Sequence, residues 1–305
     1  MKNIRLDDMT IKDVKELYDP MFNNLISQDI LDNVYNKYLF KYNEMKEAEK
    51  NGYDAPSGMG RKFNYLKNIL YGWYIEELFF LLIKRNPNVS DVKFTGKDAE
   101  HDLKYDHENK KVTIAGIKDT TPDFLITTSS GKKVYLELKT AAKEIYSVKI
   151  GNVKQLQKTM GFTDIYSMII MVDLVNEKYD IKDLSFFTNS FPFVNQRMEG
   201  QLCYDFPIPE KDFSLIINEN FDNYIKNDMF NVDDVKKYKA LKIAEDLDDK
   251  EKIREVKNKI KLDELISEFE FKNAELIKEV DKLVSVSPNI ENKTWDDILS
   301  ELINT

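Results

Sequence analysis

The chain is 305 residues long, 42% hydrophobic and 12% aromatic, enough apolar material for one large domain or a domain with a smaller appendage. A formal charge of −9 argues against a protein that coats nucleic acid indiscriminately, while leaving room for a local basic groove. The lone cysteine, Cys203, excludes a disulfide framework and a thiolate zinc site within the chain, and ten glycines and eight prolines favour long helices over a loop-rich all-β design.

The first 50 residues read as polar helix, with Met21, Ile26, Ile30, Val34 and Leu39 at roughly helical spacing. The Gly/Pro-rich break NGYDAPSGMG follows at 51–60, and a strongly apolar helix then runs from Arg61 to Arg85. Its longest apolar run, LFFLLI at 78–83, is far too short to span a bilayer, and the opening MKNIRLDDMTIKD has no signal-peptide core, so a soluble cytoplasmic protein with no membrane partner is expected. Both histidines, His101 and His107, fall in the polar stretch 97–111 and read as surface residues. The His101-Asp102 pair lacks the further histidines that a metal phosphohydrolase needs.

Short β-like runs follow at 91–94, 112–117, 123–127 and 133–139. A helix is predicted at 152–160, then a strand at 165–174 whose continuous apolar run implies burial on both faces. The aromatic-rich stretches 186–198 and 205–217 have no clear period. From Val232 the chain reads as charged helix, where Leu262, Phe269, Leu276 and Leu283 recur every seven residues with Leu265, Ile266 and Val280 beside them. Lys272 and Asn273 interrupt that seam, favouring a helix packed on its own subunit over a coiled coil between subunits. The punctuation divides the chain into a helical region 1–60, a core 61–185 and a mostly helical region 186–305.

The densest chemistry lies at 121–143. Alternation along the second strand puts Val134, Leu136 and Leu138 on one face and Lys133, Tyr135, Glu137 and Lys139 on the other. A turn centred on Ser130, with Gly131 able to take a positive φ, pairs residues whose numbers sum to about 260 and sets Asp123 opposite Glu137. Two carboxylates so close repel each other, and a hard divalent cation between them removes the penalty. The bland alternative is a strand pair with a Glu–Lys salt bridge and a turn-starting Asp. A one-residue slip would set Asp123 opposite Leu138 instead.

Pro122-Asp123, a hairpin, then Glu137-Leu138-Lys139 resembles the PD-(D/E)xK phosphodiesterase superfamily, which includes type II restriction endonucleases. The upstream helix carries Gly72-Trp73-Tyr74-Ile75-Glu76, similar to the Gly-x-x-x-Glu on that family's first helix. The resemblance covers roughly residues 61–175. It implies an α/β fold, a mixed central β-sheet flanked by helices with a restriction-endonuclease-like αβββαβ core and helical N- and C-terminal additions. It also implies Mg2+, with Mn2+ substituting, held by Asp123, Glu137, the Leu138 backbone carbonyl and Glu76, with Lys139 as the catalytic lysine beside Asp123 and Glu137. Glu77 adjoins Glu76, and periodicity leaves open which of the two faces the cleft, although the spacing favours Glu76.

From Gly131 to Lys158 seven lysines face two glutamates, which reads either as a solvated face or as a nucleic-acid groove. Clustering beside the hairpin favours the groove, with Lys133, Lys143, Lys154, Gln155 and Gln157 as contacts; Tyr146 is a further candidate. The expected function is Mg2+-dependent hydrolysis of DNA phosphodiester bonds by a restriction-type endonuclease acting as a homodimer. The alternatives are an RNA or structure-specific nuclease of the same superfamily and a catalytically silent nucleic-acid-binding module.

Overall fold

The computed structural model describes residues 9–56, 62–96, 99–116, 122–141, 146–188, 190–195, 200–226, 229–263 and 265–266. The chain divides into two compact units, Met1–Lys242 and Ile243–Thr305. The boundaries drawn at 60 and 185 from punctuation therefore both fall inside the first unit.

Two helices open that unit, α1 (Ile11–Phe22) and α2 (Gln28–Lys50). Thr10 caps α1: its hydroxyl accepts from Asp13 N, while the Asp13 carboxylate accepts from Thr10 N. The third helix, α3 (Lys62–Ile83), buries eleven of its residues, among them Trp73, Tyr74, Leu78 and Phe79, as its nearly uniform apolar surface requires.

Strand β1 (Val89–Phe94) follows, then a separate hairpin of β2 (Leu103–Asp106) and β3 (Lys111–Ile114). β4 (Phe124–Thr128) and β5 (Lys133–Ala141) form the next hairpin. After β6 (Ser147–Lys149), helix α4 (Ile150–Thr163) crosses over to β7 (Tyr166–Asp173), and β8 (Lys178–Asp183) returns antiparallel to it. The remainder of the unit holds the short helix α5 (Leu184–Thr188), strands β9 (Phe193–Asn195), β10 (Gln201–Asp205) and β11 (Lys211–Asp212), and a series of 3-10 turns. Helix α6 (Asp233–Asp246) closes it and runs past the division.

Six strands make the central sheet in the order β1-β4-β5-β7-β8-β11. It is mixed, with β5 and β7 parallel across the α4 crossover and every other neighbour antiparallel. Helices cover both faces. Val134, Leu136, Leu138, Met168, Ile170 and Val172 pack into a core shared with α1, α2 and α3, and the alternate residues Ile169 and Met171 pack with Val153, Leu156 and Met160 of α4. All but the first residue of β7 are buried, as its unbroken apolar run predicts.

The 112–117 run is not a strand of this sheet. β3 pairs instead with β2, inside the stretch read from sequence as polar. β8 and β11, which the sequence reading did not assign, extend the sheet, β11 from beyond the predicted core 61–185. Gly161 lets α4 and α6 approach closely, because a Cβ there would lie 2.7 Å from both Tyr238 Cβ and the Val235 carbonyl oxygen.

In the second unit residues 250–263 are helical, and Leu262, Leu265 and Ile266 are exposed. The heptad positions Phe269, Leu276, Val280 and Leu283, with Lys272 and Asn273, lie outside the described residues. No helix among the described residues is long and apolar enough to cross a membrane.

Candidate active site

The register of the β4–β5 hairpin decides where the carboxylates fall. Phe124 pairs with Leu136, Leu125 with Tyr135, Ile126 with Val134 and Thr127 with Lys133, so every pair sums to 260. The turn that fixes this register holds Gly131 at φ +86°, a left-handed conformation that side chains disfavour, and closes with Thr128 N donating to the Lys132 carbonyl at 2.8 Å. Continued by one residue, the register sets Asp123 against Glu137, and Asp123 Oδ2 accepts from Leu138 N at 2.7 Å.

Lys139, two residues on and on the same face, donates from Nζ to Glu137 Oε1, which also accepts from Asn152 Nδ2 of α4 at 3.0 Å. Glu76, one helix away on α3, is close enough to act electrostatically on both Asp123 and Lys139. Burial, Glu137 and Glu76 together push the Asp123 carboxyl well above the usual carboxylate range. Burial works against the Lys139 charge, yet Glu137 and Asp123 outweigh it and hold the ammonium above its ordinary pKa. Three carboxylates, Glu137, Asp123 and Glu76, thus act electrostatically on one lysine.

Glu76, which the spacing favoured, and Glu77 make different hydrogen bonds. Glu77 accepts from Lys37 Nζ at 2.6 Å and from Tyr38 Oη at 2.9 Å. Its burial is outweighed by the nearby His101 ring and by the bonds from Lys37 and Tyr38, which together draw its pKa down to about 2. Glu76 Oε1 lies beside Gly72, where an added Cβ would sit 3.7 Å away, and Oε2 is 3.0 Å from His101 Nε2. His101 is the residue that sequence reasoning missed. It is 3% exposed rather than superficial, with its ring stacked on Trp73. Burial disfavours its charge, but Glu76 and Glu77 raise its pKa all the same. His107 is exposed, as expected, 2.7 Å from Tyr53 Oη.

No family model and no curated protein matches the chain. Among the solved structures that do match, one titled "Crystal structure of SSO0001" is 13% identical over 73% of this chain and 92% of that one, with a TM-score of 0.26, too low a superposition to speak for a shared fold.

Among the described residues no group of three or more His, Cys, Asp or Glu side chains is placed, as it stands, to hold a metal ion. Lys139 and Asn152 occupy Glu137 Oε1, and Leu138 N occupies Asp123 Oδ2. By donor chemistry the set still fits a hard divalent ion, being all oxygen and carrying more negative than positive charge.

The lysine-rich surface is less concentrated than its sequence implies. Lys133 is exposed but four residues before Glu137 on β5, about 13 Å along the strand towards the turn. Lys154 and Gln155 are half-buried on α4, and Lys143 lies outside the described residues. Gln157 is 4% exposed on the α4 face that also buries Val153, Leu156 and Met160, so its amide is not presented to a nucleic acid.

Tyr146 is 8% exposed and donates to the fully buried Asp173, which corrects its reading as a nucleotide contact. Burial of Asp173 is outweighed by bonds from Tyr146, Asn176 and Val175, and its pKa lies below the ordinary value. That depression stabilises the fold above the unfolded-state pKa and is lost as the pH falls through the folded one. Tyr146→Phe is therefore expected to cost about 1–2 kcal/mol in denaturant unfolding at neutral pH, and less in acid.

Proposed function

We propose that the chain is a metal-dependent nuclease of the PD-(D/E)xK type that hydrolyses phosphodiester bonds, with DNA as substrate. The observation that carries the reading is that Asp123 faces Glu137 across the hairpin, that Glu137 is bound by Lys139, and that Glu76 acts electrostatically on both Asp123 and Lys139, a set of like charges that a purely structural hairpin has no reason to hold together. Support also comes from element order. α3, β1, β4, β5, α4 and β7, with β5 parallel to β7, follow the αβββαβ sequence of that superfamily's core, the β2–β3 hairpin being an insertion between its first two strands.

In this reading Asp123, Glu137, Glu76 and the Leu138 carbonyl hold Mg2+ or Mn2+. Once bound, such an ion supplies Lewis-acid activation of water and offsets charge on the phosphate. Lys139, kept positive by its carboxylate neighbours, orients the attacking water and balances charge on a phosphate oxygen. Asn152 holds Glu137 from the α4 side, so the carboxylate does not swing away from Asp123 when Lys139 turns to the substrate.

The test incubates purified protein with plasmid, linear duplex, single-stranded DNA and RNA, in Mg2+ or in EDTA. Discrete Mg2+-dependent cleavage of duplex DNA that disappears in Glu137→Ala supports the reading, and preference for RNA or for junctions moves it to another branch of the superfamily. Cleavage that persists in EDTA, or none on any substrate, overturns it. Cutting both strands of a palindrome together requires a twofold dimer, which sedimentation reads directly.

A further inference from the structure

His101 belongs to no element of the sheet, yet four neighbours fix its ring and backbone. Trp73 stacks on the imidazole at 5.5 Å with the planes 14° apart, and Phe94 meets it edge-on at 4.4 Å. Lys41 Nζ donates to the His101 carbonyl at 2.7 Å, and the backbone adopts φ +48°, a left-handed conformation uncommon outside glycine. Tyr38 Oη lies 3.0 Å from Nδ1. Tyr38 has one hydroxyl hydrogen, and it points to Glu77 Oε2, so the Tyr38 oxygen is left to accept from Nδ1–H. On the opposite side of the ring, Nε2 faces Glu76 Oε2 at 3.0 Å.

A glutamate on a helix has three side-chain torsions and no intrinsic reason to keep one orientation. The ring removes that freedom at one oxygen and leaves Oε1 beside Gly72. We propose that His101 is a positioning residue for Glu76, donating from Nε2 to hold the carboxylate in place for the cation that Asp123 and Glu137 share. The inference rests on the metal-dependent reading of that cluster. It assigns a role to a residue from the loop before the inserted β2–β3 hairpin, so the insertion helps complete the site rather than merely decorating the sheet.

The two amide replacements separate the ring's two nitrogens. The amide of His101→Gln reaches about where Nε2 lies, whereas that of His101→Asn falls at Nδ1 and keeps only the Tyr38 contact. Mn2+ alone is titrated into the full chain by calorimetry, with folding followed by circular dichroism. His101→Asn is expected to weaken Mn2+ binding about tenfold and His101→Gln by no more than about twofold. In a Glu76→Gln background, His101→Asn should cause no further loss, because its effect passes through Glu76.

The role is overturned if both variants bind as wild type does, if both are impaired equally, if the loss persists in the Glu76→Gln background, or if both lose their fold. Should the wild-type chain itself take up no Mn2+, the metal reading falls and the positioning role with it. Normal wild-type binding with unresponsive variants removes the positioning role alone.

Discussion

Under the proposed nuclease function, Asp123→Asn is expected to lower Mg2+-dependent cleavage a thousandfold or more, about 4 kcal/mol of transition-state stabilisation, while making the metal-free protein more stable. The two effects have one cause. Without a cation, Asp123 is a carboxylate held against Glu137 and Glu76 by the hairpin register, and burial with these two neighbours pushes its pKa well up. Asparagine keeps the shape and an oxygen able to accept from Leu138 N, but removes one of the repelling charges. Relief of about 1 kcal/mol would raise the melting temperature by roughly 3 °C. Thermal melts in EDTA and a plasmid-nicking assay in Mg2+ read the two sides. A variant that loses activity and stability together would instead make Asp123 an ordinary structural residue.

Lys139→Met separates the site in the opposite sense. The methionine keeps most of the aliphatic stem but leaves Glu137 without its ammonium partner. With the two side chains 29% and 12% exposed, solvent screens only part of the loss, and the metal-free protein should be destabilised by about 1–3 kcal/mol. Because Lys139 occupies Glu137 Oε1, an oxygen that the proposed cation would use, Mn2+ affinity should hold or improve, so added metal should restore more stability to this variant than to wild type. Cleavage should still fall a hundredfold or more, since the bound ion has lost the positive group beside it. Wild-type cleavage rates in Lys139→Met would remove the lysine from the mechanism.

The hairpin was legible from sequence because its information is local. Gly131 dictates the turn, the turn dictates the register, and strict alternation then puts Glu137 and Lys139 on one face. β7 was legible for a similar reason, since a strand buried on both faces is apolar throughout. Gln157 was misread although its signal was present. It lies four residues after Val153 and one after Leu156, on the stripe that α4 turns to the sheet, and helical spacing alone marks it as inward.

His101 was hidden for a different reason. It sits among charged residues with no period of its own, and burial reaches it through residues distant in sequence, Tyr38 of α2, Trp73 and Glu76 of α3 and Phe94 of β1. Alternation in Leu103–Tyr105 and in Val112–Ile114 was the one cue to that hairpin, and a four-residue strand is too short for it to stand out.

Cys203 bears on how such tests can be made. The only cysteine in the sequence is fully buried in β10, and burial raises its thiol pKa, so little reactive thiolate is presented to an alkylating dye. The native chain is in effect a blank background for site-directed labelling. A single cysteine introduced at the exposed Lys133 would carry a fluorophore or spin label at a known end of β5 without a competing signal, and would report directly whether nucleic acid passes over the hairpin turn.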